Sequence, residues 1–265
     1  MSPVRTPSAT PRDAPPSADG TAAGRPEPGH PASGLRESGH EDSGHHGSGS
    51  GHLFGDPEHE APWDEVIAPG AVLLRRHACA QADVLVAAAR VVVAAAPLRH
   101  LVTPGGQTMS VAMTNCGEWG WVSDRRGYRY DPVDPASGRP WPPMPGIFLD
   151  VARGAALRAG YPDFAPQACL MNLYRPGTRL TLHQDRDELD LAAPIVSISL
   201  GLPAIFLFGG LQRSDRARRF PLQHGDVAVW GGPSRLAFHG IAPLAAGHHP
   251  ATGAVRLNLT FRKTR

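Results

Sequence analysis

Ala168-Cys-Leu-Met-Asn-Leu-Tyr174 opens a series of short β-type runs, and that series decides the fold. Leu180–Asp185, Ile195–Leu200, Ala204–Phe208, Asp226–Trp230, Leu236–Ile241 and Ala254–Arg262 follow, each set off by turn residues. Seven or eight short strands at near-regular spacing read as a β-sandwich or jelly-roll barrel. Such barrels keep an open mouth that holds a small site. Upstream the pattern is different. Ala80 to Ala96, rich in Ala and Val and stopped by Pro97, reads as a buried helix. Gly146 to Gly160, ended by Gly-Tyr-Pro, reads as a second. The expected class is therefore α+β: N-terminal helices, then a double-stranded β-helix core over residues 166–265.

Leu53 to Arg76 reads as an irregular lead-in with a short strand at Ala71-Val-Leu-Leu74. Residues 103–145 hold TPGGQTMSVAMTNCG, WGW, RRGYRY and DPVDPASGRPWPPMP. That density of Pro and Gly predicts only short strands and ordered loops. Trp119, Trp121, Tyr128, Tyr130 and Trp141 are too many rings to leave loose, so the segment is expected to form a lid or binding wall. Residues 1–52 are another matter, with 8 Pro, 9 Gly and no Phe, Trp or Tyr. Such a stretch cannot bury enough apolar surface to offset the entropy of ordering it. It is expected to be a disordered tail, and its His-rich tract a linker. Residues 53–265 are expected to form one domain.

The chain carries 26 Lys+Arg against 24 Asp+Glu, a net +2 that argues for no particular partner. No apolar run approaches the ~20 residues of a membrane span, and the start lacks the apolar stretch of a signal peptide. Cys79, Cys116 and Cys169 are widely spaced and odd in number, neither a disulfide framework nor a thiolate metal site. A cytoplasmic protein is expected, with a monomer the simplest state.

His183 and Asp185 are separated by one residue, which on a strand puts both side chains on one face. His239 recurs in the short run Ala237-Phe-His-Gly-Ile241. Two imidazoles and a carboxylate fill one face of an octahedral metal and leave the opposite face open, the facial triad of non-haem iron(II) oxygenases. A structural zinc site would close all four positions and favour thiolates. His224 competes as the distal ligand, but Gln-His-Gly-Asp reads as a turn; His248 and His249 lie in a Gly/Pro loop. In Arg256-Leu-Asn-Leu-Thr-Phe-Arg262, alternation sets Arg256, Asn258, Thr260 and Arg262 on one face and Leu257, Leu259 and Phe261 on the other. Two arginines pointing into a barrel are costly without an anionic partner. A small dicarboxylate fits, because a guanidinium grips a carboxylate bidentately.

These motifs, with GYPDFAPQACLMNLYRPG, LHQDRDE, APIVSISLGLPAIFLFGGL, HGDVAVWGG and RLNLTFR, resemble the AlkB family of Fe(II)- and 2-oxoglutarate-dependent dioxygenases from about Ala61 to Arg265. The resemblance implies oxidative dealkylation of nucleobases such as 1-methyladenine and 3-methylcytosine. There O2 and 2-oxoglutarate give succinate and CO2, an N-methyl group is hydroxylated, and formaldehyde leaves. Carried over by motif, His183, Asp185 and His239 ligate iron. Arg256 and Arg262 hold the cosubstrate's carboxylates, and Asn172, Tyr174 and Asn258 complete that pocket. Trp121 and Tyr128, with Tyr130 from the same aromatic run, resemble residues at the target base and its phosphate. Asp187 resembles the carboxylate beside the exocyclic amine, and Arg213 a substrate-lining arginine. A flipped base recovers stacking on aromatic faces, and a cationic methylated base is drawn to Asp187. Arg125, Arg126, Arg129, Arg213, Arg216, Arg218 and Arg219 are available for phosphates. Trp119, beside the expected Trp121, and Leu207 depart from the family pattern. Alkylated DNA is the expected partner, with RNA as a second class. The competing readings are a related oxygenase acting on a small molecule or protein side chain, and a non-catalytic jelly-roll binding module.

Overall fold

The structure, a computed structural model, describes residues 61–265. The expected tail, its histidines and the first part of the lead-in lie outside the described residues. Two strands come first, β1 (Trp63–Ala68) and β2 (Ala71–Arg75). Their turn needs Gly70, at φ +74, where a Cβ would stand 2.6 Å from the Gly231 carbonyl oxygen. Helix α1 (Ala82–Ala95) buries Ala82, Leu85, Val86, Ala89 and Val92, an i, i+3, i+4, i+7 stripe, and stops ahead of Pro97. Next come β3 (Arg99–Val102), β4 (Thr108–Gly117), β5 (Gly120–Asp124) and β6 (Gly127–Asp131). Helix α2 (Gly146–Arg158) buries Phe148, Val151, Ala152, Ala155 and Ala156. Eight strands finish the chain: β7 (Ala168–Tyr174), β8 (Leu180–His183), β9 (Ile195–Gly201), β10 (Ala204–Phe208), β11 (Arg218–Leu222), β12 (Val227–Trp230), β13 (His239–Ile241) and β14 (Arg256–Arg262).

The strands sort into an eight-stranded sheet, in the order β1-β2-β12-β9-β14-β7-β4-β3, and a four-stranded sheet, β11-β10-β13-β8. Strands β5 and β6 form a separate hairpin. Alternation along the large sheet divides its side chains between two cores. Cys169, Met171, Val196, Ile198, Leu200, Val227, Val229, Leu257, Leu259 and Phe261 join the residues of α1 and α2. There Phe148 meets Phe261 edge-to-face at 6.0 Å. The opposite set, including Leu170, Tyr174, Ile195, Ala228 and Trp230, packs with Phe206, Phe208 and Ile241 of the small sheet. Each fully buried Leu, Ile or Phe contributes about 1.5–3 kcal/mol, which makes this double-sided burial the main support of the jelly roll. The polar members of β14 therefore fall on the face between the sheets.

Three differences from the sequence reading have physical causes. Residues 108–117 form a ten-residue strand, β4, paired to β7 within the large sheet, rather than part of a lid. Proline is absent from this stretch and its glycine stands at the end, so the Pro/Gly density of 103–145 is concentrated on either side of it. Strand β1 was read as irregular because its exposed face mixes Trp63, Asp64 and Val66 without alternation. Strand β11 contains Arg218, Arg219 and Pro221, residues that read as a charged loop; as an edge strand it tolerates the proline and leaves Arg219 exposed.

Candidate active site

Strand β13 pairs with β8 so that His239 and His183 are direct cross-strand partners, with ring centroids 4.4 Å apart. The Nδ1 of His183 lies 2.8 Å from the Thr181 carbonyl, and that of His239 lies 3.0 Å from the Ala237 carbonyl. A carbonyl only accepts, so each Nδ1 carries a proton, and in the neutral ring this leaves the Nε2 lone pair free. Those Nε2 atoms face Asp185, at 3.6 Å from Oδ1 and 3.8 Å from Oδ2. One ligand atom from each of the three residues lies within 4.8 Å of the others. None of the free cysteines joins the cluster. Two neutral imidazoles and one carboxylate on one side fit an iron(II) site with positions left for other ligands.

The electrostatics favour an ionised Asp185 and a neutral His239. Burial pushes the Asp185 carboxyl up, but the Arg262 guanidinium and the two imidazoles hold it well below the usual carboxylate range. Burial, with His183 beside it, lowers the pKa of His239 to about 4. Asp185 is not on a strand, as the spacing had suggested. Strand β8 ends at His183, and Asp185 stands on the irregular segment that follows. Its place is fixed from afar. Arg262 Nε and Nη2 donate to Oδ2 at 3.0 and 2.6 Å, and Arg235 Nη1 donates to the backbone oxygen at 2.7 Å.

The triad opens on a cavity of roughly 540 Å³ between the two sheets. Arg256 lines it and is only 1% exposed. Its Nη2 donates to Ser199 Oγ at 2.9 Å and its guanidinium lies 4.9 Å from the Tyr174 ring centroid. Its Nε and Nη1 have no hydrogen-bond partner. Burial draws the arginine's pKa below its ordinary value, with Tyr174 beside it acting the other way. A carboxylate entering the cavity could take Nη1 together with the second Nη2 proton as a fork. Asn258 holds the next rung of the same wall. Its Oδ1 accepts from Asn172 Nδ2 and Thr260 Oγ1, and its Nδ2 donates to Ser197 Oγ and the Ile198 carbonyl.

At the mouth, Trp121 stacks on Tyr128 with centroids 5.4 Å apart and planes 13° off parallel. Both backbone groups of Trp121 are bonded to the Asn115 side chain. Its Nε1 donates to Asp187 Oδ2 at 2.8 Å, fixing the carboxylate against the ring. Arg213 lies on the same wall, over Phe238 and donating to the Leu182 carbonyl. A wall of stacked rings, a carboxylate and an arginine suits a flat, cationic group that is tied to an anion.

The sequence profile of the 2OG-Fe(II) oxygenase superfamily matches residues 70–262. Over 211 residues the chain is 58% identical to the alpha-ketoglutarate-dependent dioxygenase AlkB of Escherichia coli strain K12, covering 80% of this chain and 96% of that protein. The chain belongs to the AlkB family of Fe(II)- and 2-oxoglutarate-dependent dioxygenases. A Caulobacter vibrioides AlkB homolog is 48% identical over 171 residues, 64% of this chain and 76% of that protein. The solved structure of OsALKBH1 superposes with a TM-score of 0.66 at 28% identity, covering 76% of this chain and 99% of that one.

Most of the residues expected to carry this AlkB-family site meet in the one cavity: His183, Asp185, His239, Asn172, Tyr174, Arg256, Asn258, Arg262, Trp121, Tyr128, Asp187 and Arg213. Tyr130 does not line it; the phenol turns to Glu188 instead. Several of the arginines expected to be available for phosphate have partners within the protein, Arg126 with Asp124 at 3.3 Å among them. Arg129 pairs with Asp124 and Asp131, and Arg218 stacks on Phe220 while donating to the Ile67 carbonyl. His224 is no ligand to the triad, since its Nδ1 accepts from the Gly201 amide and its ring stacks on His249. The sequence reading missed Glu188 and Arg235, buried to 5% and 3% exposure and paired at 2.9 Å. The one hint was the acid-rich Asp185-Arg-Asp-Glu188, which holds more carboxylates than a metal needs.

Proposed function

We propose that this chain is a direct-reversal repair enzyme that oxidatively demethylates N-alkylated bases in nucleic acid, DNA first and RNA second. The reaction couples decarboxylation of 2-oxoglutarate to succinate and CO2 with loss of formaldehyde. One observation carries the reading: the stacked Trp121–Tyr128 pair and Asp187 open onto the same cavity as His183, Asp185 and His239. The named relatives, an AlkB dioxygenase and the nucleic acid dioxygenase ALKBH1 of Homo sapiens, support the same substrate class. They do not favour a small-molecule or protein hydroxylase.

His183, Asp185 and His239 would hold the iron through two Nε2 atoms and a carboxylate oxygen. Bound there with 2-oxoglutarate and O2, the metal supplies the oxidising power for C–H hydroxylation. The chain's own residues do the rest. Arg256 would receive one carboxylate of the cosubstrate on its guanidinium, and Asn172, Tyr174, Asn258 and Arg262 would shape the pocket around it. Trp121 and Tyr128 offer ring faces to a base drawn from its stack. Asp187 favours a base that carries positive charge, as 1-methyladenine and 3-methylcytosine do. Arg213, with the exposed Arg125 and Arg219, would meet phosphate, and the exposed Arg126 could do so by leaving Asp124.

All these groups come from one chain, so a monomer suffices. The three free cysteines suit the reducing cytoplasm. Among the described residues no helix is long and apolar enough to cross a membrane. The test is to load anaerobic protein with Fe(II) and 2-oxoglutarate, then add O2 and an oligonucleotide bearing 1-methyladenine or 3-methylcytosine. Succinate should appear in step with repaired base, and His183→Ala or Asp185→Ala should abolish both. Succinate without repair rejects the substrate class, and activity surviving in either variant rejects the iron assignment.

A further inference from the structure

The β5–β6 hairpin touches the metal-carboxylate segment at two points that belong to one rung. Trp121 and Tyr130 are cross-strand partners. From that rung Trp121 Nε1 donates to Asp187 Oδ2 at 2.8 Å, and the Tyr130 hydroxyl donates to Glu188 Oε1 at 2.6 Å. Two bonds from one rung thus land on consecutive residues, two and three positions past Asp185.

Glu188 is no ordinary acceptor. It is buried, and its other oxygen accepts from Arg235 Nη2 at 2.9 Å. Arg262 Nε stands 3.3 Å from its Oε1. The same two arginines grip Asp185, Arg262 by its carboxylate and Arg235 by its backbone oxygen. Arg235 also donates from Nε to the Ala193 carbonyl, so it cannot shift alone. Two carboxylates and two guanidiniums form a closed, charge-balanced group, with the Tyr130 hydroxyl as its link to the hairpin. Burial raises the Tyr130 phenol well above its ordinary pKa, which keeps it a donor.

We infer that Tyr130 and Glu188 are positioning residues that link seating of the β5–β6 hairpin to the orientation of the Asp185 carboxylate, so that a methylated base at the mouth and metal at the triad strengthen each other's binding. The inference rests on the proposed function for the identity of the mouth ligand. Linkage requires the effect to be reciprocal, with each ligand tightening the other by the same factor. A factor of about 5 or more is expected for a coupling carried by hydrogen bonds to a buried charge.

The experiment uses the full chain, 2-oxoglutarate and Mn(II), a redox-inert stand-in whose free aquo signal is read by electron paramagnetic resonance. Mn(II) affinity is measured alone, with an oligonucleotide bearing 1-methyladenine, and with the same oligonucleotide unmethylated. The parent should bind Mn(II) about 5-fold or more tightly with the methylated strand, and Tyr130→Phe should bring that factor close to 1. Glu188→Gln, which keeps an acceptor for Tyr130 but unbalances the arginines, should weaken Mn(II) binding even without the oligonucleotide. In the unaltered parent, adding Mn(II) should slow amide hydrogen exchange over residues 120–131. A Tyr130→Phe protein that keeps the parent's factor, or exchange that ignores the metal, overturns the inference. Failure of the proposed function looks different: no binding of the methylated strand, and no repair, by a parent that still takes up Mn(II).

Discussion

Arg256→Met should do two opposite things to this protein. The guanidinium is buried at 1% exposure with two N–H groups idle, and its compensation in the cosubstrate-free state is one hydrogen bond to Ser199 and the face of Tyr174. Burying an incompletely paired ion costs several kcal/mol. The hydrogen bond returns about 1 kcal/mol and the ring contact about 0.5–2 kcal/mol. Methionine fills much of the same volume without the charge, so the cosubstrate-free variant should gain about 1–2 kcal/mol, or a few degrees in Tm for a domain of this size. Cosubstrate binding should move the other way. Two charge-assisted bonds to a carboxylate, at about 1.5–3 kcal/mol each, set the loss at about 3–6 kcal/mol. That is a Kd raised between about a hundred- and about twenty-thousand-fold. Thermal unfolding of the cosubstrate-free protein and calorimetric titration of the Mn(II)-loaded protein with 2-oxoglutarate read the two effects. A Tm that falls by several degrees would refute the idea of an uncompensated buried charge. A Kd within tenfold of the parent would refute the assignment of Arg256 to a carboxylate.

Asp187→Ala should lower kcat/KM about tenfold more for 1-methyladenine than for a neutral methylated base, since an exposed carboxylate near a cation is worth about 1–1.5 kcal/mol after screening; equal losses would remove its electrostatic role. In metal-free protein the His239 pKa, lowered from 6.5 to about 4, means that the folded state binds fewer protons than the unfolded state between those values. Stability is therefore full above pH about 6.5 and falls by up to about 3 kcal/mol as the pH drops toward 4. Urea unfolding across that window should show the slope in the parent and a flatter one in His239→Gln. A chain started at Leu53 should keep the parent's turnover within a factor of two, because every described residue lining the cavity lies between 103 and 262; a larger loss in a repair assay would give the first 52 residues a part in the chemistry.

Much of the site was legible because β-strand alternation is a local rule. Four alternate residues of β14, Arg256 to Arg262, were read onto one face, and the structure places all four along the cavity while Leu257, Leu259 and Phe261 face the helices. Asn172 and Tyr174 on β7 were expected from the family resemblance instead, and both line the cavity. The alternation rule failed where burial does not alternate. Strand β4 shows four buried residues in succession, Met113 to Cys116, because the helices cover one side and the opposite sheet and the hairpin the other. Tyr130 was grouped with Trp121 and Tyr128 because all three are aromatic and near in sequence. Strand pairing sets Tyr130 directly across from Trp121, yet only its partner lines the cavity, and the phenol turns to a carboxylate that no local pattern singles out.

Asp185 shows the deeper limit. The His-x-Asp spacing led to two residues that do come together, but through a strand that ends two positions too early. Spacing bounds how far apart two side chains can be, but it does not hold a carboxylate still once the backbone leaves the ladder. Here that work falls to Arg235 and Arg262, 50 and 77 residues downstream, each committed to Asp185 and each also in contact with Glu188. A carboxylate with Oδ2 already taken by Arg262 presents Oδ1 more freely to the His183 side, where it lies 3.6 Å from Nε2. The geometry of the metal face is thus set by tertiary ion pairs rather than by the motif that announces it. Substitutions at Arg235, Arg262 or Glu188 should then disturb metal binding as much as changes to nearer residues that only flank the motif, such as Gln184 or Arg186.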